Sequence, residues 1–209
     1  VGYIYLLFTF IAFAQVFYNF GLDSAFLKFA SKDYKQREVV FSTSLIILIF
    51  TSLIFSIGLF LSAEFFSQLY LKVQKPNWII ICAFILFLDV LSSRVMTYLR
   101  VIDRPIYFSV ISILSVLMTI SANIYFIIIL DLSVSGVLYG TFLGSLVRLL
   151  LVFPILLKCI KIRLFNFSIF KKMFSFGIPF FPAAIFFILM EMADRFILLN
   201  FVDIETVGI

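Results

Sequence analysis

The hydrophobic residues of this 209-residue chain fall into six long runs, separated by short polar stretches. A helix needs about 20 apolar residues to cross about 30 Å of hydrocarbon, so each run predicts a membrane-spanning helix. Continuous runs of this length favour helices over the short alternating strands of a barrel. The pattern predicts an all-α, polytopic membrane protein with six transmembrane helices, over residues 3–27, 39–62, 78–101, 105–130, 134–157 and 173–201.

The loops between the runs alternate in charge. Three of them, 28–38, 100–104 and 158–172, contain eleven Lys and Arg residues, whereas the loops on the other side contain only Lys72 and Lys75. Short loops rich in Lys and Arg stay on the cytoplasmic side of a membrane. We therefore expect these three loops to be cytoplasmic and the first residue to lie outside.

The composition agrees with a protein inside a bilayer and excludes several chemistries. Hydrophobic residues make up 64% of the chain and charged residues 13%, and the mean hydropathy is +1.22. A soluble domain has about 25% charged residues. The chain has no His, which removes His-ligated metals and the Ser-His and Cys-His catalytic pairs. We expect no metal, no cofactor, no nucleic acid and no enzymatic activity.

Six ionisable side chains lie deep within the predicted spans, where a charge costs about 2.5 to 3.5 kcal/mol and needs a partner or a cavity. On the sixth run, Glu191 and Arg195 are four residues apart and can meet on one helical face, so part of the set can be neutral ion pairs. Charges on three different spans also favour a polar interior that lines a substrate or ion path. The sequence leaves both interpretations open for Arg94, Arg148, Arg195, Asp89, Glu191 and Asp194.

The fifth run contains three glycines at intervals of four, Gly136, Gly140 and Gly144, followed at the same interval by Arg148. This spacing predicts a smooth strip along which a second helix packs closely. Arg148 continues the strip toward the cytoplasmic side. Because a planar guanidinium suits phosphate bidentately, we expect Arg148 to bind an anionic headgroup.

The sixth run is interrupted near its start by Gly177, Pro179 and Pro182. Proline removes a backbone donor and disfavours regular helix in the preceding turn. We expect a kink at these three residues, and bent helices are where transporters hinge.

The linker 158–172 alternates basic and bulky apolar side chains, which is typical of an amphipathic helix on the membrane surface. It separates five helices over residues 1–157 from a sixth helix and the start of a further segment over residues 173–209. The chain enters the membrane almost at Val1 and ends as another segment begins, so we interpret it as an internal fragment.

Short motifs along nearly the whole chain resemble those of the Wzx-type polysaccharide or oligosaccharide flippases, within the multidrug/oligosaccharidyl-lipid/polysaccharide exporter superfamily. Their order and spacing carry the resemblance more than any one string does. The motifs are residues 21–25 with Lys28, residues 100–105, 136–144, 176–179 with Pro182, 194–198 and 207–209.

The resemblance implies a transporter of about twelve to fourteen spans in two lobes, of which this chain covers the last five helices of the first lobe and the first helix of the second. Such a protein moves undecaprenyl-pyrophosphate-linked oligosaccharide from the cytoplasmic to the outer leaflet of the bacterial inner membrane. Its products are cell-surface polysaccharides such as the O-antigen of lipopolysaccharide. The implied partners are the lipid-linked oligosaccharide, membrane lipids and the polysaccharide polymerase machinery.

Candidate site residues follow from the charges and the resemblance together. Lys28, where the family usually has Arg, closes the first run near the cytoplasmic interface, and a snorkelling role also suits it. The candidates for substrate binding are Lys28, Arg94, Arg148 and Arg195, and the candidates for ion coupling or charge pairing are Asp89, Glu191 and Asp194.

Other functions fit parts of the same pattern. An ion-coupled multidrug antiporter of the same superfamily would use Asp89 or Glu191 as a proton or sodium site. An integral membrane enzyme of glycan assembly would need a catalytic cluster in an aqueous loop, whereas the loops here are short and contain no His and no Asp-x-Asp pair. A purely structural membrane subunit is the third alternative.

Overall fold

The computed structural model describes residues 2–32, 36–71 and 73–201, and most of them are helical. Side chains are described for the same residues except 32 and 191–201. A π-helical segment, Tyr125–Ile129, continues the sixth helix, and a 3-10 turn, Ile162–Leu164, precedes the eighth. In chain order the α-helices are α1 (Gly2–Asn19), α2 (Leu22–Lys32), α3 (Arg37–Leu61), α4 (Ala63–Tyr70), α5 (Pro76–Val101), α6 (Pro105–Ile124), α7 (Ser133–Cys159), α8 (Phe167–Gly177) and α9 (Phe180–Phe201).

Six helical regions are long and apolar enough to cross a membrane, and they coincide with the six predicted runs. No strand occurs among the described residues. The predicted all-α membrane fold is therefore confirmed, and the chain is an integral membrane protein. Large apolar side chains such as Phe50, Ile54 and Phe186 stay exposed on the bundle, as expected where lipid replaces water.

The central helix of the bundle is α5, which packs against α1, α3, α4 and α7. Of its most apolar window, 61% is buried, compared with 17% for the span formed by α6. Neighbours surround α5 on several sides, so Asp89 and Arg94, the two charged residues away from its ends, reach different helices. This central position decides which charges can meet.

The first predicted run, 3–27, is not one helix. α1 ends at Asn19, and the next two residues, Phe20 and Gly21, have φ angles of 47° and 66°. This left-handed conformation ends helices, and it suits Gly because a Cβ is crowded there. The helix restarts as α2 with Asp23 in its first turn, where the positive end of the helix dipole interacts favourably with a carboxylate. The membrane-embedded part of this run therefore contains a helix break that its hydropathy does not reveal.

The sixth run is also divided, at the place where the sequence predicts a kink. α8 ends at Gly177, residues 178–179 form a turn, and α9 begins at Phe180. Pro179 cannot donate a backbone hydrogen bond, which explains why the helix is interrupted there. Whether Gly177, Pro179 and Pro182 act as a hinge stays a prediction.

The linker expected over residues 158–172 consists of several pieces rather than one helix. α7 continues to Cys159, and the 3-10 turn and extended residues lead to α8, whose first N–H groups are capped by Asn166 at 2.9 and 3.1 Å. The linker is fixed on the start of α3. There Ser42 and Thr43 accept backbone hydrogen bonds from Lys161 and Asn166, both at 3.1 Å.

The loops predicted to share one side of the membrane meet at one end of the bundle. Lys161 Nζ lies 2.5 Å from Glu38 Oε2, which joins the linker to the end of loop 28–38. At the opposite end Trp78 Nε1 donates a hydrogen bond to Ser135 at 2.9 Å. Which end faces the cytoplasm stays a prediction that rests on the distribution of basic residues.

The glycine strip of α7 packs against α6 and its π-helical end, as the spacing of the glycines predicts. A Cβ added at Gly140 would overlap the Asn123 carboxamide and stand 2.9 Å from the Asn123 backbone nitrogen. A Cβ at Gly144 would overlap the Thr119 hydroxyl. The two backbones therefore approach so closely that only glycine fits.

Replacing Gly140 with Ala should destabilise the protein by about 1 to 3 kcal/mol, because the backbone of α6 must move to admit the methyl group. The measurement is the midpoint of thermal unfolding in detergent. Gly58→Ala is the matched control, since nothing lies within 4 Å of a Cβ at Gly58. Equal midpoints for the two variants would contradict the close α6–α7 contact.

Candidate functional site

Arg148 and Asp89 form an ion pair between α7 and α5, near the middle of both helices. Arg148 Nη1 lies 3.4 Å from Asp89 Oδ1. The two side chains are 34% and 22% exposed, so neither is sealed inside the bundle. The structure thus brings together two residues that the sequence nominates separately, and it leaves both accessible on one side.

Hydroxyl groups surround this pair. Arg148 Nε donates to Ser115 Oγ of α6 at 3.5 Å, and Ser145 of α7 lies beside Asp89. Sequence reasoning missed both serines, because Ser is common in membrane helices and only the crossing of three helices brings these two to Arg148. The site therefore contains one cation, one carboxylate and two hydroxyls from α5, α6 and α7.

A polar stripe leads away from the pair along α5. Ser93 and Thr97 follow Asp89 at intervals of four residues, and all three are half-buried. Each hydroxyl donates to its own helix, at 3.0 Å to Val90 and 2.9 Å to Ser93, so the oxygens keep their capacity to accept. By helical periodicity the exposed Phe84 lies on the opposite face of α5. α5 thus has a polar face beside Arg148 and an apolar face away from it.

Arg94 has a different environment from Arg148. Its side chain is 0% exposed, and its Nη2 atom lies 3.0 Å from Asp23 Oδ1 at the start of α2. Nη1 donates to the Leu22 carbonyl at 3.2 Å, and the guanidinium lies 4.9 Å from the Phe26 ring centre. Arg94 therefore fixes the first turn of α2 after the helix break, and its predicted role in substrate binding stays a prediction.

Sequence reasoning set Arg94 against Asp89, Glu191 and Asp194 and missed Asp23 as its partner. The signal was present, since a helix that ends at Gly21 places the following Asp at a new helix N-terminus. The structure does agree that Asp89 and Arg94, five residues apart, do not pair within α5.

The two helix breaks touch each other. A Cβ at Gly21 would overlap the Gly177 carbonyl oxygen, and a Cβ at Gly177 would stand 3.1 Å from the Gly21 oxygen. Beside them the rings of Phe20 and Phe181 stack at 5.1 Å. The start of α2 and the end of α8 therefore meet backbone to backbone, at the level where both runs are interrupted.

Lys28 is exposed and extends over an aromatic ring. Its Nζ atom lies 3.7 Å from the centre of the Phe176 ring, one residue before the break that follows α8. A cation over a ring face is attracted by the ring quadrupole. Lys28 thus links α2 to α8, and its predicted contact with substrate stays a prediction.

The side chains of three predicted site residues, Glu191, Asp194 and Arg195, lie outside the described residues, although their backbone belongs to α9. Among the described side chains, no three His, Cys, Asp or Glu groups come together as a metal site would require.

The comparison with protein families decides the classification. A family model described as polysaccharide biosynthesis protein matches residues 1–209. The chain belongs to this family. Searches of curated proteins and of solved structures find no match.

Membership of the polysaccharide biosynthesis family gives the chain a role in making polysaccharide. It agrees with the resemblance to polysaccharide flippases that the motifs carry, whereas the Wzx-type subgroup stays a prediction. The six membrane-spanning regions locate that role in a membrane.

Replacing Asp23 with Asn should lower the free energy of unfolding by about 3 kcal/mol, because it leaves the buried Arg94 guanidinium without a counter-charge. Unfolding by sodium dodecyl sulfate in mixed micelles measures this. Glu38→Gln is the control, since it removes an ion pair whose side chains are 51% and 53% exposed and should cost less than about 1 kcal/mol. An Asp23 variant as stable as the control would show that Arg94 does not depend on this pair.

A cysteine at Ser93 should react with a water-soluble thiol reagent, because Ser93 continues the polar face beside Arg148. A cysteine at Phe84 should not react, because that face of α5 is apolar. Both variants are made with Cys82 and Cys159 replaced by Ser, and labelling is measured by mass spectrometry in vesicles. Equal labelling at the two positions would contradict a water-accessible face beside the Arg148–Asp89 pair.

Proposed function

We propose that this chain is part of a transporter that moves lipid-linked oligosaccharide from the cytoplasmic to the outer leaflet during the synthesis of cell-surface polysaccharide. The lipid carrier in this proposal is undecaprenyl pyrophosphate, and the membrane is the bacterial cytoplasmic membrane. Family membership supports the role in polysaccharide biosynthesis. The half-exposed Arg148 within the membrane is the observation that carries the step from that role to flipping.

A pyrophosphate-linked sugar cannot cross hydrocarbon without a polar surface, because its charges and hydroxyls would lose their hydration. Arg148 offers a guanidinium that is 34% exposed and contacts the Ser115 hydroxyl of α6. Its planar fork matches phosphate oxygens. The headgroup would contact Arg148 through its phosphates, and its sugars would lie along the hydroxyls of the polar face on α5.

The distribution of charge at the ends of the bundle supports a direction. The loops 28–38, 100–104 and 158–172 carry eleven basic residues, which attract anionic headgroups at the cytoplasmic surface. In this proposal the lipid-linked oligosaccharide is collected there and released outside, where the polysaccharide polymerase machinery and membrane lipids are the partners that receive it.

The touching helix breaks support a protein that opens alternately to the two sides. Broken membrane helices are the places where transporters bend. Gly21 and Gly177 have no side chains to hinder a change of angle between α2 and α8. Gly177, Pro179 and Pro182 would form the hinge on the second of these segments.

The described acids argue against the alternative of an ion-coupled multidrug antiporter. Among the described acids, Asp89 lies near the middle of a span and Asp23 lies at the first break, and each already faces a guanidinium. A sodium or proton site would require a carboxylate that is free to take the cation.

Replacing Arg148 with Gln should reduce translocation of lipid-linked oligosaccharide by about tenfold or more, because the charge-assisted bonds to phosphate are lost. The assay reconstitutes the full-length protein in vesicles and follows protection of the sugar from a glycosidase added outside. Insertion into the membrane should not change.

Glu38→Gln serves as the control in the same assay, because this carboxylate lies at the cytoplasmic end and pairs with Lys161. Wild-type translocation by the Arg148 variant would reject the proposed role of Arg148. Loss of translocation in both variants would show that the substitutions disturb the folding of the helix bundle, and it would give no support to a role of Arg148 in binding.

A further inference from the structure

Two Arg–Asp pairs link spans among the side chains that the structure describes, and their guanidiniums differ in how completely they are buried. Arg94 is 0% exposed, its distance to Asp23 is 3.0 Å, and a backbone carbonyl and an aromatic ring complete its contacts. Arg148 is 34% exposed and its distance to Asp89 is 3.4 Å. The Arg94 guanidinium is therefore buried by the protein, although its partner Asp23 is 43% exposed, whereas the Arg148 guanidinium is open.

The contacts of Arg148 are long for a charged group. A charge-assisted bond between a guanidinium and a carboxylate is normally about 2.7 to 2.9 Å long and is frequently bidentate. Here a single carboxylate oxygen lies at 3.4 Å, and the Nε contact to Ser115 is 3.5 Å. Within the described part of the chain, Arg148 Nη2 has no hydrogen-bond partner. The guanidinium keeps most of its donor capacity for another anion.

We propose that the Asp89 carboxylate pairs with Arg148 while no substrate is bound, and that the headgroup phosphate replaces Asp89 at the guanidinium when it binds. This inference rests on the proposed function and adds the regulation of its site. While no headgroup is bound, Asp89 lowers the free-energy cost of placing Arg148 in the membrane, because a guanidinium without a counter-charge is costly there. A phosphate displaces it because two phosphate oxygens can match the fork, whereas only one oxygen of the Asp89 carboxylate contacts Arg148 here.

The exchange has a consequence for affinity, since the carboxylate competes with the headgroup for one guanidinium. Asp89 therefore weakens binding of the phosphate, and a residue of equal size without the charge strengthens it. The effect concerns Arg148 rather than Arg94, because the Arg94 side chain is 0% exposed and Arg148 is 34% exposed.

The test measures binding of farnesyl pyrophosphate to the full-length protein in nanodiscs of neutral lipid. Asp89→Asn should bind about threefold to fivefold more tightly than wild type, the factor that corresponds to removing a half-exposed ion pair. Asp89→Glu keeps the charge and should bind like wild type. Glu38→Gln removes a carboxylate from an exposed pair elsewhere and should not change the affinity.

Inorganic pyrophosphate, measured in parallel, should give the same order of variants, because the exchange involves only phosphate oxygens. If Asp89→Asn bound only farnesyl pyrophosphate more tightly, and not inorganic pyrophosphate, the proposal would be overturned, since the gain in affinity would come from the lipid tail. If Asp89→Asn inserts poorly, Asp89→Ser can replace it. This variant removes the same charge and should show the same increase in affinity.

Arg148→Gln separates this inference from the proposed function. Loss of binding in Arg148→Gln together with unchanged or weaker binding in Asp89→Asn would overturn the exchange and leave the headgroup site in place. Wild-type binding by Arg148→Gln would overturn both.

Discussion

An ionised side chain inside a bilayer needs a partner, because hydrocarbon neither hydrates nor screens it. The chain meets this constraint twice on α5, where Arg94 pairs with Asp23 of α2 and Asp89 pairs with Arg148 of α7. The pairs reach in different directions from the central helix. The two ion pairs therefore attach α2 and α7 to α5, and the other helices must pack so that both pairs can form.

Much of the architecture follows from lengths and periods in the sequence. Six apolar runs predict six spans because the thickness of the hydrocarbon fixes the length of a helix that crosses it. The glycines at 136, 140 and 144 predict a close helix contact because an interval of four residues returns to one helical face, and α6 occupies that face. Both arguments need only the geometry of one helix.

The partners of the charges could not be predicted in the same way, because they depend on how helices cross. Asp23 lies far from Arg94 in the sequence, and the two meet where α1 has stopped at Asn19 and α2 begins. Hydropathy does not reveal that break, since Phe20 and Gly21 carry no charge and lie inside the apolar run 3–27. The linker was likewise predicted as one helix, because its composition does not reveal that Ser42 and Thr43 hold its backbone extended.

The buried Arg94 guanidinium and the open Arg148 guanidinium suit different tasks, and their positions fit that division. Arg94 holds the start of α2, and the residue just before that start, Gly21, touches the break at Gly177. A segment that bends there keeps a fixed attachment to α5 on one side of the break. Arg148 instead lies on α7, whose glycine strip fixes it against α6, so the guanidinium stays in place when its counter-ion changes. A site that exchanges a carboxylate for a phosphate requires a rigid cation of this kind. A guanidinium that moved to follow each anion would contact both equally well and would not favour the phosphate.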